Sequence, residues 1–123
     1  MKPDYTVELI NNQTKLTGLV NRLASVPFIA LDIETVDWWN RRQERVALIQ
    51  IAFRIEKQTK VAIVDALARL DLEPLRPVFE SEKITKVIHN AVFDASRLDR
   101  RPCFRKGGRF RCRNRQTRHR RVD

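Results

Sequence analysis

Three successive segments, residues 28–34, 46–53 and 61–65, have the apolar composition and length of β-strands. Three strands in direct succession suggest an antiparallel meander. The first is apolar on both faces until it ends in acidic residues, which is typical of a central strand covered on both sides. Two further strand-like runs occupy residues 5–10 and 85–89.

Helical periodicity is found between and after these strands. Residues 14–25 carry apolar side chains at helical spacing, with Thr14 as the expected N-cap and Pro27 as the stop. Asp71 is expected to cap a second helix, and a third is expected at residues 91–98. The second helix contains two prolines that are tolerable only in or near its first turn, Pro74 and Pro77. The order of elements predicts a mixed α/β domain.

The charge of the chain is distributed unevenly. Its formal net charge is +10, yet residues 1–99 hold 14 basic and 14 acidic side chains, so the whole excess lies in residues 100–123. We therefore expect one domain at residues 1–99, followed by a disordered Arg-rich tail. Three interpretations of the tail remain open: a nucleic-acid-binding arm, a plain solvated tail, or an out-of-frame translation. The scarcity of lysine and the stray cysteines favour the last.

The sequence contains no N-terminal signal-like succession and no apolar run of membrane-spanning length. We expect a soluble, cytoplasmic protein without membrane contact. Cys103 and Cys112 are the only cysteines, so both are interpreted as free thiols rather than as part of a disulfide framework.

Two acidic residues, Asp32 and Glu34, stand at the end of the first apolar strand. Side chains two apart on a strand share a face, so the two carboxylates are expected side by side, with Ile33 facing the opposite core. Adjacent carboxylates repel each other unless a cation lies between them, and Mg²⁺ or Mn²⁺ prefers hard oxygen ligands of this kind. An ordinary acidic strand terminus would have the same sequence, and the short motif does not decide between the two.

A second polar cluster, His89, Asn90 and Asp94, follows the strand at residues 85–89. The segments F-I-A-L-D-I-E-T, V-A-L-I-Q-I-A and K-V-I-H-N-A-V-F-D occur in that order and together resemble the first two motifs, and the strand between them, of the ribonuclease D-like DEDD superfamily of 3′-5′ exonucleases. The Werner-type exonucleases share this pattern. The resemblance covers residues 5–98.

The resemblance implies an α/β, ribonuclease H-like fold that is incomplete here: a mixed sheet with an antiparallel three-strand meander plus a parallel strand, flanked by helices. It also implies that Asp32, Glu34 and Asp94 are catalytic and are three of the four acidic ligands of two divalent metal ions, Mg²⁺ or Mn²⁺. The implied reaction is hydrolysis of nucleic acid from a single-stranded 3′ end of RNA or DNA.

Four residues are candidates for substrate binding: Thr35, Trp38, His89 and Asn90. Trp38 lies in the loop after the acids, where base stacking and packing on its own domain are both open. His89 and Asn90 match the family's HN pair, but a structural role at the strand-to-helix turn is equally compatible. Gln50, inside an apolar strand, is interpreted as a buried side chain bonded to the backbone.

The resemblance ends after Leu98. The family continues to a Tyr-x-x-x-Asp or His-x-x-x-Asp segment that supplies the fourth acid, and nothing here resembles that continuation. The string from His119 to Asp123 fits the second pattern literally, but it is embedded in arginines and comes too soon after Asp94. We expect impaired catalysis, and the alternative is a nonenzymatic nucleic-acid-binding fragment that acts through its Arg-rich tail.

Overall fold

The computed structural model describes residues 4–37, 40, 42–43 and 45–88. All five predicted strands are present, and several are longer than the apolar runs that predicted them. In chain order the elements are β1 (Tyr5–Ile10), α1 (Gln13–Leu23), β2 (Phe28–Val36), β3 (Arg45–Ile55), β4 (Gln58–Asp65), a 3₁₀ turn (Glu73–Leu75), α2 (Arg76–Glu80) and β5 (Thr85–Ile88).

The five strands form one mixed sheet in the order β1-β4-β3-β2-β5. The predicted antiparallel meander is confirmed, since β3 pairs antiparallel with both β2 and β4. The expected parallel strand is β5, which pairs with β2, and β1 forms a second parallel pair with β4. The carboxyl ends of β1, β2, β4 and β5 therefore point toward the same edge of the sheet.

One face of this sheet carries the hydrophobic core. Ile29, Leu31 and Ile33 of β2 are buried, and Ile51 and Ile49 of β3 pair with the last two. The apolar stripes of α1, the 3₁₀ turn and α2 belong to the same cluster: Leu16, Leu19, Leu23, Leu72, Leu75, Val78 and Phe79. Because side chains alternate along a strand, these helices cover a single face.

The opposite face is open within the described part of the chain. Phe28 and Ala30 alternate with the buried residues of β2, and Phe28 is 47% exposed. Three further apolar side chains on β1 are about half exposed: Tyr5, Val7 and Leu9. The expectation that β2 is covered on both sides is therefore not met by the described residues.

The first helix begins one residue before its predicted start. Asn12, not Thr14, is the N-cap: its backbone is extended, and its side chain accepts a hydrogen bond of 2.9 Å from the backbone N–H of Lys15. Thr14 lies inside the helix, so the predicted cap is wrong. The helix ends at Leu23, short of Pro27, which lies next to the start of β2.

The second predicted helix is divided in two. Asp71 Oδ1 accepts from the N–H of Glu73 at 3.0 Å, but the residue at the N-cap position of the 3₁₀ turn is Leu72, which makes no side-chain cap. Pro74 and Pro77 lie at the start of the 3₁₀ turn and of α2 respectively, as proline requires. The two prolines thus explain the break in the helix.

Two charged side chains are held against the core side of these elements. Arg76 contacts Glu73 at 2.6 Å and Glu80 at 3.2 Å, and the hydrogen bond with Glu73 raises the pKa of Arg76 above its ordinary value. Lys86 of β5 is 1% exposed because strand alternation places it on the buried face, and its Nζ donates to the carbonyl oxygen of Ser81.

No helix in the described ranges is long and apolar enough to cross a membrane.

Candidate active site and metal centre

The two predicted metal ligands of β2 lie on the open face of the sheet. Asp32 and Glu34 are both exposed, while Ile33 between them is 4% exposed and packs in the core, as the alternation predicted. Asp32 Oδ1 accepts a 3.0 Å hydrogen bond from the N–H of Ile33. Neither carboxylate has a basic partner among the residues described. Within the described residues, two accessible carboxylates without an ion-pair partner therefore stand on one face near the end of β2.

A β-bulge follows directly after the second acid. Glu34 pairs with Leu48, but Thr35 pairs with Val46, so Ala47 is an extra residue on β3. The carbonyl of Ala47 accepts a hydrogen bond of 2.9 Å from the N–H of Ala66. Bulges bend a strand and re-aim the side chains beside them. Thr35, predicted to contact substrate, is half-buried at this irregularity.

The chain turns sharply after β2. Asp37 has a left-handed backbone with φ of 57°, and its carbonyl accepts from the N–H of Asn40 at 3.0 Å. The N–H of Gln43 donates to the carbonyl of Asn40 at 2.9 Å, and Asp37 lies 3.9 Å from Arg45 in an exposed ion pair. These contacts fold the loop back toward β3. Trp38, a predicted stacking residue, lies outside the described residues.

The topology directs the second motif toward the first. Ile88, the last residue of β5, pairs in parallel with Leu31, the residue before Asp32. The chain therefore leaves β5 at the edge where the acids of β2 stand. The predicted residues of the second motif, His89, Asn90 and Asp94, lie outside the described residues.

No group of three or more His, Cys, Asp or Glu side chains within residues 4–37, 40, 42–43 and 45–88 is placed to hold a metal ion. The structure thus brings together two of the three predicted acids, Asp32 and Glu34. The predicted helix at residues 91–98 and the Arg-rich tail at residues 100–123 also fall outside the described part. Those predictions stay predictions.

An open cleft of about 380 Å³ adjoins the first acid on the uncovered face. Most of its lining is apolar, and its two polar side chains are Asp32 and Gln50. The prediction that Gln50 is buried and bonded to the backbone is wrong: the side chain is half-buried and makes no hydrogen bond within the described ranges. A polar residue in an otherwise apolar strand was the sequence signal that could have marked it. The lining residues are Ala30, Leu31, Asp32, Gln50, Ala52, Val61 and Val87.

Comparison with known proteins identifies the family of this chain. Residues 7–111 match the family model described as 3′-5′ exonuclease. Ribonuclease D of Gluconacetobacter diazotrophicus is 36% identical over 87 residues, which are 68% of this chain and 20% of that protein.

Solved structures agree with this assignment. RNase D of Escherichia coli, an exoribonuclease involved in structured RNA processing, superposes with a TM-score of 0.62 at 29% identity, over 76% of this chain and 24% of that one. Trypanosoma brucei RNase D in complex with RNA gives a TM-score of 0.67 at 21% identity, over 77% of this chain and 33% of that one, and so supports the fold. This chain spans between a fifth and a third of the length of these relatives. It belongs to the 3′-5′ exonuclease family, as an RNase D-like domain of the DEDD superfamily.

Proposed function

We propose that this domain hydrolyses nucleic acid from the 3′ end, with Asp32, Glu34 and Asp94 as ligands of two divalent ions, Mg²⁺ or Mn²⁺. The observation that supports this most directly is the pair of exposed carboxylates on one face of β2, neither of which is neutralised by a described basic side chain. Hard oxygen donors in this arrangement fit either ion.

Several residues of the chain have a defined part in this proposal. Ile33, held in the core, fixes the strand so that Asp32 and Glu34 both face solvent. Divalent ions bound there would supply positive charge for the scissile phosphate and the departing 3′ oxygen. The parallel pairing of β5 with β2 supports the contribution of Asp94 from the segment that follows Ile88.

The substrate in this proposal is a single-stranded 3′ end of RNA or DNA. Support for nucleic acid comes from the T. brucei RNase D structure, which contains RNA. Thr35 follows Glu34 directly, and Trp38 is four residues beyond Glu34 in the sequence, so both come from the chain next to the acids. We propose that His89 and Asn90 also bind this 3′ end of the substrate.

The charge distribution supports a second candidate function. Ten arginines and one lysine lie in residues 100–123, which is enough for nonenzymatic binding of nucleic acid through phosphate contacts. Such a binding fragment would need neither metal nor acids.

The two functions are separated by one assay on the full chain. A 3′ end-labelled oligonucleotide is incubated with excess protein and Mn²⁺ or Mg²⁺, and released nucleotide is compared between wild type, Asp32→Asn and an EDTA-treated sample. The exonuclease proposal expects release that EDTA and Asp32→Asn both abolish, with binding in a filter assay retained. Release that is equal in wild type, Asp32→Asn and the EDTA-treated sample would contradict it and favour the binding fragment.

A further inference from the structure

Arg45 begins β3 beside the acidic end of β2. It pairs with Val36 in the β2–β3 ladder, and partners across an antiparallel pair share one face of the sheet. Val36 lies two residues beyond Glu34 on β2, so it stands on the same face as that acid. Arg45 is therefore the diagonal neighbour of Glu34, with Cα atoms about 7–8 Å apart, a separation that a long side chain can span.

The bulge in β3 brings Arg45 to this face. In a regular ladder without the extra residue Ala47, Val46 would pair with Val36, and Arg45 would turn toward the core, since a shift of one residue exchanges the two faces. With the bulge, Val46 is only 2% exposed and Arg45 is exposed. Bulges next to active sites often re-aim a side chain in this way. A specific irregularity of the strand thus places a cationic group on the face of the acids.

The guanidinium of Arg45 is held loosely by a neighbouring acid. Its side chain is 63% exposed, and its Nη2 lies 3.9 Å from Oδ2 of Asp37. An exposed ion pair of this length is weak, and one carboxylate oxygen engages few of the five N–H donors of an arginine. Arg45 can therefore donate to a second anion while it remains beside Asp37.

The chemistry of the proposed substrate gives this cation a partner. A strand whose 3′ end lies at Asp32 and Glu34 brings its phosphates past the start of β3. Carboxylates repel phosphates, and divalent ions offset that repulsion at the scissile phosphate. The planar guanidinium fork matches a phosphate with two parallel N–H donors. Arg45 is thus suited to a backbone phosphate adjacent to the metal centre.

We propose that Arg45 is a substrate-binding residue that donates from its guanidinium to a backbone phosphate of the single strand beside Glu34. The placement of the strand's 3′ end rests on the function proposed above, whereas the phosphate contact itself requires no catalysis. Phosphate contacts carry no base sequence information, so Arg45 positions the strand and does not select a sequence.

The contact is tested by NMR on the full ¹⁵N-labelled chain with Mg²⁺. The Nε–H signal of Arg45 is identified by its loss in Arg45→Gln. A short single-stranded oligothymidylate is expected to shift this signal, whereas a methylphosphonate analogue of the same length, which has an uncharged backbone, is not. An Arg45 signal that does not respond to the charged strand, or that responds equally to both strands, would overturn the proposal.

Arg54 is the internal control for this measurement. It is an exposed arginine of the same strand, about 30 Å from Arg45 at the strand's rise per residue, and it donates to the carbonyl of Lys57 at 2.9 Å. Its Nε–H signal should shift much less with the oligothymidylate. Equal shifts at Arg45 and Arg54 would indicate unspecific attraction of the strand and would also overturn the proposal.

The effect on substrate binding is measured on release of nucleotides from a labelled 3′ end. Arg45→Gln is expected to raise KM about tenfold with kcat little changed, the lower end of the effect of a charge-assisted hydrogen bond because the site is exposed to salt. Arg45→Lys keeps the charge without the fork and should fall between Arg45→Gln and wild type. Arg54→Gln is the matched control and should behave as wild type. Thermal melting checks that the variants are folded.

The outcomes separate this proposal from the proposed function. Release that Asp32→Asn abolishes, with KM unchanged in Arg45→Gln, would overturn the phosphate contact and leave the exonuclease function in place. Release that is equal in wild type, Asp32→Asn and an EDTA-treated sample would contradict the proposed function alone. In that case, or with release too slow to measure, the NMR titration still decides whether Arg45 binds phosphate.

Discussion

The side-chain amide of Gln13 and the backbone of Asp71 exchange two hydrogen bonds. Gln13 Nε2 donates to the Asp71 carbonyl at 3.0 Å, and the Asp71 N–H donates to Gln13 Oε1 at 2.9 Å. The two residues are 58 positions apart in sequence. This pair joins the first turn of α1 to the segment that leads into the 3₁₀ turn, so it holds together two elements that cover the core.

Replacement of Gln13 tests the strength of that connection. Gln13→Ala removes both bonds and is expected to lower the free energy of unfolding by about 1–2 kcal/mol, since each hydrogen bond contributes roughly 0.5–1.5 kcal/mol and the site is exposed. Gln13→Glu keeps the acceptor and should lose about half as much. Urea denaturation measures both, with Gln58→Ala as a control. A Gln13→Ala protein as stable as wild type would show that the pair contributes nothing.

The sequence predicted those parts of the fold that depend on local alternation. Ile29, Leu31 and Ile33 alternate with small or acidic residues. In the structure these three apolar side chains are buried and Asp32 is exposed. The cap of α1 was assigned to Thr14 rather than Asn12 because both residue types cap helices, and only the backbone geometry distinguishes them.

Other features depend on pairing between strands that a single sequence does not display. The bulge between Glu34 and Thr35 arises from the register of β2 against β3, and so does the juxtaposition of Gln50 with Asp32. From the sequence, Gln50 resembled a glutamine buried in the core. Its position beside Asp32, a candidate metal ligand, follows only from the pairing of β2 with β3.

The left-handed backbone of Asp37 is expected to restrict which residues that position accepts. Asp37→Val should lower the free energy of unfolding by about 1–2 kcal/mol, because a β-branched residue is strained at φ of 57°. Asp37→Asn should be nearly neutral, because Asn tolerates this backbone and the ion pair with Arg45, 3.9 Å long and exposed, contributes little. If both variants lose the same stability, the ion pair rather than the backbone is responsible.

The uncovered sheet face is expected to promote self-association of residues 1–123. Tyr5, Val7 and Leu9 are each about half exposed on β1, which pairs with β4 and stands at the edge of the described sheet. Unprotected apolar edges favour pairing between molecules. Val7→Lys should reduce association measured by analytical ultracentrifugation, whereas the same change at exposed Leu67, outside the strands, should not. A wild-type monomer with a sharp cooperative thermal transition would refute the expectation.

Binding of nucleic acid through the Arg-rich segment should depend steeply on salt. If about six arginines of residues 100–123 contact phosphates, the slope of log K against log salt on duplex DNA is expected to be about −5. Replacing all ten of these arginines by glutamine in the full chain should bring the slope near zero, because residues 1–99 are neutral overall and the charges of Lys106 and Asp123 then offset each other. An unchanged slope would place the phosphate contacts on the folded domain instead.

The last prediction concerns catalysis and follows from counting metal ligands. Asp32 and Glu34 stand together on β2, and Asp94 is the proposed third acid. No segment of residues 1–123 resembles the family motif that carries the fourth acid and the water-positioning Tyr or His in its expected place. A positioning or general-base group typically contributes 10² to 10⁴ in rate, and a second ion with too few carboxylates adds to the deficit.

Residues 1–123 are therefore expected to bind Mn²⁺ weakly and to release nucleotides from a labelled 3′ end at least about 10²-fold more slowly than E. coli RNase D assayed beside them. The residual release should fall further in Asp94→Ala, which tests the third acid independently of Asp32. Glu82→Ala, at an exposed acid in the turn before β5, is the control and should leave release unchanged. Release as fast as that of E. coli RNase D, and abolished by Asp94→Ala, would mean that this polypeptide supplies the fourth acid itself. The His119–Asp123 segment, the one literal match to the missing motif, would then have to be tested by Asp123→Asn.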